Sequence, residues 1–325
     1  MKALFITSNR IGDAILSTGL LGHLAEAYDN PEITVACGPV AAPLFAGAPG
    51  VVKVHTMRKE KWGKHWLRLL RGVFTTRWDI VVDLRGSATA YILWTRKRYV
   101  LRPDHTRPRV EHIGGVMGLA PPPSPRLWPS ELERAAARKR LPTGEKVLAV
   151  GPTANWPKKM WPVEAYLDLA LRLTGKGGAL EGARILLTGG PGEQEQVQAF
   201  YDRVPKDQLI DEIGAKLLST YAQFERVSLF IGNDSGLMHL AAAAGAPTLG
   251  LFGPTRDDLY APWGENASFV RGPRSYAQIM ADPDYDFHSP ASEMADLTVE
   301  AVEQAAMALL NRTEKNQEKR REPDI

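Results

Sequence analysis

The run Gly232-Asn233-Asp234-Ser235-Gly236-Leu237-Met238-His239 gathers residue types that can hold an anion. It follows a strand-like segment, Val227 to Ile231, and opens a helical one, Leu237 to Ala244. Asp234 or Ser235 can cap that helix, while Gly232 and Gly236 let the backbone approach a ligand closely. Unpaired N–H groups at a helix start point outward and favour negative charge, so this corner fits a phosphorylated ligand. His239 lies about one helical turn further in, as a ligand contact or as a packed core side chain.

Three other turns carry polar residues after strand-like runs. In Thr7-Ser8-Asn9-Arg10-Ile11-Gly12-Asp13, the Asp13 carboxylate either caps the following helix or acts as a general base towards a hydroxyl. In Gly151-Pro152-Thr153-Ala154-Asn155-Trp156-Pro157-Lys158-Lys159-Met160-Trp161-Pro162, Thr153 and Asn155 offer hydrogen bonds. Lys158 and Lys159 stand just before a helix that Pro162 begins, which suits a diphosphate leaving group. The alternative is that both lysines are merely exposed and the tryptophans pack an interdomain face. Thr188-Gly189-Gly190-Pro191-Gly192-Glu193 lacks the Gly-Lys-Ser/Thr ending of a P-loop and the spacing of a dinucleotide fingerprint. Glu193 or Glu195 there either binds a nucleoside or complements a helix N-terminus. The histidines are scattered, without metal-ligand spacing, and no Gly-x-Ser-x-Gly nucleophile elbow occurs at the 232–239 turn.

These turns need strands and helices to aim them. Strands are expected at Lys2–Ile6, Ile33–Cys37, Val51–His55, Ile80–Leu84, Lys146–Val150, Arg184–Leu187, Val227–Ile231 and Thr248–Phe252. Helical patterns lie between them, including Asp13–Tyr28, Lys61–Phe74, Ala88–Arg96, Ala165–Leu173, Glu193–Arg203 and Val299–Leu310. This βαβα rhythm predicts an α/β fold with mainly parallel sheets. It breaks at Pro121-Pro122-Pro123-Ser124-Pro125, an extended, stiff connection. The expected organisation is a first Rossmann-like domain over 1–140, a second over 141–312, and a charged, disordered tail over 313–325. Two such domains in tandem would face ligands at the carboxyl ends of both sheets, across a central cleft.

The 325 residues carry a net charge of only +3, but unevenly. Between Lys53 and Glu111 basic residues outnumber acidic ones about three to one, which favours an acidic partner unless it is simply a solvated basic face. Nucleic acid is the weaker option because no recognised binding module accompanies the charge. Cys37 is the only cysteine, so no internal disulfide can form, which suits the cytoplasm. No run is long and apolar enough to span a membrane.

Read together, Ile11-Gly12-Asp13, Lys159-Met160-Trp161-Pro162 and the 232–239 run resemble glycosyltransferase family 9, the lipopolysaccharide heptosyltransferases. Leu251-Phe252-Gly253-Pro254-Thr255, Tyr260-Ala261-Pro262-Trp263-Gly264 and Leu297-Thr298-Val299-Glu300-Ala301-Val302 extend the likeness to about residue 310. The resemblance implies a GT-B fold, with acceptor bound mostly by the first domain and nucleotide sugar by the second. It implies metal-independent, inverting transfer from ADP-L-glycero-D-manno-heptose, without a cofactor, to an acidic Kdo-bearing glycolipid. Asp13 then corresponds to the base, and Lys159 to the phosphate-neutralising lysine. Asp234, Ser235, Gly236 and His239 correspond to donor-binding groups, joined by Thr153 and Asn155. Arg10, Arg85 and Arg109 are candidates for holding the acceptor, and Trp62 and Trp66 for touching a membrane surface. The sequence departs from the family pattern at Gly19, where proline is frequent, and at Ala281-Asp282-Pro283-Asp284-Tyr285-Asp286, which replaces a cysteine-containing segment. Rival readings are transfer from another nucleotide sugar, an epimerase like UDP-GlcNAc 2-epimerase, and a non-catalytic glycolipid-binding protein.

Overall fold

A computed structural model describes residues 1–321. The chain forms two compact units, Met1–Ser130 and the residues from Glu131 onward. The first holds a five-stranded sheet in the order β3-β2-β1-β4-β5. Its strands are β1 (Lys2–Ile6), β2 (Glu32–Cys37), β3 (Val51–Thr56), β4 (Trp78–Asp83) and β5 (Thr95–Val100), and every pairing is parallel. The second holds six parallel strands in the order β11-β10-β9-β6-β7-β8. These are β6 (Val147–Gly151), β7 (Arg184–Gly189), β8 (Leu209–Ile213), β9 (Leu229–Asn233), β10 (Thr248–Phe252) and β11 (Ala267–Arg271).

Both orders run outward from a central pair, β1 beside β4 and β6 beside β9, where the winding reverses. Loops leaving the carboxyl ends of such a pair turn to opposite faces and open a crevice, so a doubly wound sheet concentrates ligand contacts there. The turn at 7–13 leaves β1, the turn at 84–87 leaves β4, the loop at 152–162 leaves β6, and the corner at 234–239 leaves β9. Sheet order alone therefore explains why the polar turns read from the sequence matter.

Central strands are buried on both faces, and their apolar runs anchor the cores. Leu4, Ile6 and Val81 pack under the helix Lys64–Val73 in the first unit. Leu148, Ile231 and Leu251 pack with Trp161, Tyr166 and the helix Val299–Arg321 in the second. Trp161 is thus a core residue of its own unit.

Three expectations need correction. The helix expected over Asp13–Tyr28 is two helices, Ile11–Leu16 and Thr18–Glu26, meeting at Ser17. The buried Ser17 hydroxyl donates to the Ala14 carbonyl at 2.7 Å and pairs with the Thr7 hydroxyl at 2.8 Å, a side-chain bond that competes with helix continuation. The boundary falls after Ser130 and not at 140. The helix Glu131–Arg140 belongs to the second unit because Arg134 grips the Glu225 carboxylate with two bonds, at 3.0 and 3.1 Å. Finally, 313–321 is not a disordered tail: the helix Val299–Arg321 runs through it, and 322–325 lie outside the described residues.

The proline-rich connection lies against the first unit. A Cβ at Gly19 would stand 2.2 Å from the Pro123 carbonyl oxygen, so only glycine lets that backbone pass over the helix Thr18–Glu26. The departure from the frequent proline at this position is a packing requirement of this chain.

Candidate active site

In the first unit Asp13 occupies the first turn of the helix Ile11–Leu16, where a carboxylate complements the helix dipole. It does not cap the helix: Arg10 is the N-cap residue and no side chain closes that end. The Asp13 carboxylate instead receives the Ser8 hydroxyl at 3.5 Å and stands 3.6 Å from Arg109 Nε. Both contacts are long, so the carboxylate keeps lone pairs for a further donor.

Arg109 begins the helix Arg109–Gly115 and is held from behind by His112. Its Nη1 lies 2.9 Å from His112 Nδ1, and His112 Nε2 lies 2.7 Å from the Arg102 carbonyl. A guanidinium can only donate, so Nδ1 accepts and Nε2 carries the proton that goes to Arg102. Burial lowers the His112 pKa below its ordinary value, which keeps the ring neutral as this arrangement requires. A depressed histidine pKa means that the unfolded chain takes up the proton first. Stability from neutral His112 is therefore complete above about pH 6.5 and lost as pH falls through the folded value. Urea unfolding of His112→Gln between pH 7.5 and 5 should show a flatter decline than the parent; an identical slope would refute this role.

Arg85 leaves β4 through a turn built on Asp83. The fully buried Asp83 carboxylate accepts the Arg85 N–H at 2.8 Å, and the Ser87 N–H and hydroxyl at 2.8 and 2.6 Å. Burial raises its pKa, opposed by those donors. The Arg85 guanidinium donates to Asn9 Oδ1 at 2.9 Å and covers the Trp66 ring at 5.4 Å. Trp66 is half-buried against the sheet core, and is therefore a packing residue rather than a membrane contact. The structure thus brings Asp13, Arg109 and Arg85 to the carboxyl end of the β1/β4 pair. Arg10 is exposed on the same turn, its backbone N–H donating to Ser8 Oγ at 3.1 Å.

In the second unit the anion corner forms on the helix Gly236–Ala243. Ser235 is its N-cap residue, yet its hydroxyl makes no capping bond and its buried oxygen meets no hydrogen-bond partner among the described residues. Asp234 does not cap either. Its backbone N–H donates to Leu251, and its carboxylate lies 4.0 Å from Nε2 of the buried His239. The expectation that Asp234 or Ser235 caps this helix is corrected. The first N–H groups of the helix have no partner within it.

The loop after β6 meets this corner through Asn233. Its fully buried amide accepts the Trp161 N–H at 2.9 Å and the Tyr166 hydroxyl at 3.0 Å, and donates to the Pro152 carbonyl at 2.8 Å. One side chain thereby fixes both ends of the segment that carries Thr153, Asn155 and Lys159. Thr153 is buried, Asn155 exposed and Lys159 half-buried. Sequence reasoning placed Asn233 in the motif but gave it no role; the signal available was an amide at a strand end followed by a polar turn.

The two lysines differ. Lys158 is 1% exposed, its ammonium 2.9 Å from Glu293 Oε1 and 4.8 Å from the Tyr285 ring centre. Glu293 Oε2 takes Arg274 at 2.8 Å, and the Glu293 N–H returns to the Lys158 carbonyl at 2.9 Å. Lys158 is neither exposed nor open to a phosphate; it ties Glu293, and Tyr285 of the 281–286 segment that departs from the family pattern, to the loop after β6. Glu193 binds its own turn, accepting the Gly190 N–H at 2.6 Å. Among the described residues no three or more His, Cys, Asp or Glu side chains are grouped to hold a metal ion.

The profile of Glycosyltransferase family 9 (heptosyltransferase) matches residues 109–283. Lipopolysaccharide heptosyltransferase 2 of Salmonella typhimurium is 24% identical in an alignment covering 96% of this chain and 99% of that protein. The structure of E. coli ADP-heptose lipopolysaccharide heptosyltransferase II superposes with a TM-score of 0.71 at 22% identity, covering 97% of this chain and all of that one. A family 9 glycosyltransferase from Veillonella parvula gives a TM-score of 0.75 at 22% identity over 95% and 97% of the two chains. These likenesses confirm the GT-B class of two Rossmann-like sheets. With over half its length matched by the family profile, the chain belongs to glycosyltransferase family 9, the heptosyltransferase family, and is a glycosyltransferase.

Proposed function

We propose that this enzyme transfers L-glycero-D-manno-heptose from its ADP derivative to an acidic, Kdo-bearing inner-core glycolipid, with inversion at the anomeric carbon. The Asp13 carboxylate takes the proton of the acceptor hydroxyl. The freed oxygen attacks C1 opposite ADP, the C1–O bond breaks, and its electron pair passes to the departing diphosphate. Negative charge grows there, and fixed N–H dipoles with Lys159 stabilise it more in the transition state than in the ground state. Thr153, Asn155, Asp234, Gly236 and His239 complete the proposed donor contacts, and Arg85, Arg109 and Arg10 the contacts to the acidic acceptor.

The observation that carries this reading is the corner after β9, where the buried Ser235 hydroxyl makes no capping bond at the start of an eight-residue helix whose first N–H groups have no partner within it. The names of the relatives supply the sugar, since the Salmonella protein and the E. coli structure are lipopolysaccharide heptosyltransferases. A membrane-anchored acceptor places the work in the cytoplasm, peripherally on the inner face of the cytoplasmic membrane. No helix among the described residues is long and apolar enough to cross that membrane.

ADP release, with product mass as a second readout, tests the proposal. Incubation with ADP-heptose and a Kdo-bearing acceptor should release ADP and add one heptose to the acceptor. Release only from UDP- or GDP-sugars would reject the donor, and a mass-neutral change of the sugar would point to epimerisation.

A further inference from the structure

Of the eight large apolar side chains exposed in the first unit, six lie between residues 62 and 94. They are Trp62, Leu67, Phe74, Tyr91, Ile92 and Trp94. Two short helices, Lys64–Val73 and Thr89–Ile92, carry or flank all six. Their inner faces, through Leu69, Val73, Ala90 and Leu93, cover one core cluster with Leu4 and Val81. The helices therefore lie on the same side of the sheet, and their outer surfaces form one layer. Six large apolar side chains exposed on or beside two helices that cover one core cluster mark a contact surface.

Trp62 is the sharpest member. It is 93% exposed and sits at φ 61°, a left-handed conformation that costs an aromatic residue energy and gains it no packing. Trp94 follows at 69% exposed. On the helix Lys64–Val73, His65, Leu69 and Val73 face inward, while Lys64, Leu67, Arg71 and Phe74 share the outer stripe at i, i+3, i+7 and i+10. Cations stand among the rings: Arg77 lies over Trp94 at 6.0 Å and Arg98 over Tyr91 at 5.6 Å, each presenting a flat aromatic–guanidinium pair. The nearby acids are few. Glu60 is engaged by Arg68 and Asp79 by Arg96, while Asp83 is buried in its turn.

Aromatic rings interleaved with long cationic side chains match a bilayer interface, where rings enter the headgroup layer and cations meet lipid phosphates. We infer that the layer from Trp62 to Arg98 docks the enzyme on anionic phospholipid bilayers. This rests on the glycolipid-acceptor reading only for its purpose; lipid binding itself is measured without any sugar transfer.

Co-sedimentation of the full chain with vesicles decides it. Vesicles of phosphatidylglycerol and phosphatidylethanolamine should pellet the protein, and phosphatidylcholine vesicles should pellet far less. Trp62→Ser with Trp94→Ser should weaken partitioning about ten-fold or more. Lys64→Glu with Arg71→Glu should erase the preference for anionic lipid, and Val52→Ser, on β3, should change nothing. The tryptophan pair should leave circular dichroism and transfer to a soluble, deacylated acceptor at parental levels. Equal binding to both vesicle types, no binding, or indifference to the tryptophan pair would overturn the inference. So would a protein dimer dissociated by the same substitutions without lipid binding. Binding to anionic vesicles by an enzyme that transfers no heptose would sustain this surface and reject the proposed reaction.

Discussion

Asp13→Ala should lower kcat by about 10²–10⁴-fold while leaving the ADP-induced thermal shift and the unfolding midpoint close to the parent. Removal of a general base costs roughly that much, whereas the structural roles of this carboxylate are small. Asp13 makes no capping bond, and its contacts to Ser8 and Arg109 are 3.5 and 3.6 Å long. A partly exposed ion pair of that length contributes about 0–1 kcal/mol. The residues proposed for ADP lie in the second unit, so donor affinity should survive. Asp13→Asn, which keeps the shape but not the basicity, should lose as much as the alanine variant. Activity of Asp13→Asn within about five-fold of the parent would remove Asp13 as the base. A raised acceptor KM at unchanged kcat would reassign it to holding the acceptor beside Arg109.

The parts of this molecule legible in its sequence are those buried on both sides. β1, β2 and β10 are short apolar runs between turn residues, and a parallel sheet's central strands must look like that. Of the four edge strands, β3 reads as a short apolar run, whereas β5, β8 and β11 do not announce themselves. β5 reads Thr-Arg-Lys-Arg-Tyr-Val and β8 Leu-Ile-Asp-Glu-Ile, because one neighbour is missing and charge blunts the open edge. The start of β5 therefore reads as the end of a helix in the sequence. Site turns were legible by type, since Gly, Asn, Asp and Ser cluster where a strand hands over to a helix. What each side chain does was not, because that depends on partners distant in sequence. Lys158 and Lys159 are adjacent and chemically identical, yet Glu293, 135 residues away, withdraws one of them from any ligand. Nor could Trp62 and Trp66 be separated without knowing which side of the helix meets the sheet.

Asn233→Ala should destabilise the second unit by about 3–6 kcal/mol, measured by urea unfolding. The amide is fully buried and makes three hydrogen bonds, to the Trp161 N–H, the Tyr166 hydroxyl and the Pro152 carbonyl. Alanine leaves all three partners buried, and each unsatisfied polar group costs about 1–3 kcal/mol. Total stabilities are about 5–15 kcal/mol, so the loss is a large share. Tyr166→Phe removes a single partner and should cost about 1 kcal/mol, with the double variant less than additive because the pair shares a bond. Burial also holds the Tyr166 phenol well above its usual pKa, so it stays a neutral donor at every pH at which the fold survives. The functional consequence follows from where the bonds go. Pro152 precedes Thr153, and Trp161 lies two residues beyond Lys159, so Asn233 spans the loop proposed to meet the diphosphate. Freed at both ends, that loop should bind the donor more weakly, raising the ADP-heptose KM in whatever fraction of Asn233→Ala remains folded. Tyr166→Phe leaves the two backbone anchors in place and should bind the donor as the parent does. A stability loss below about 0.5 kcal/mol for Asn233→Ala would show that the amide is not the tie between β9 and the donor loop.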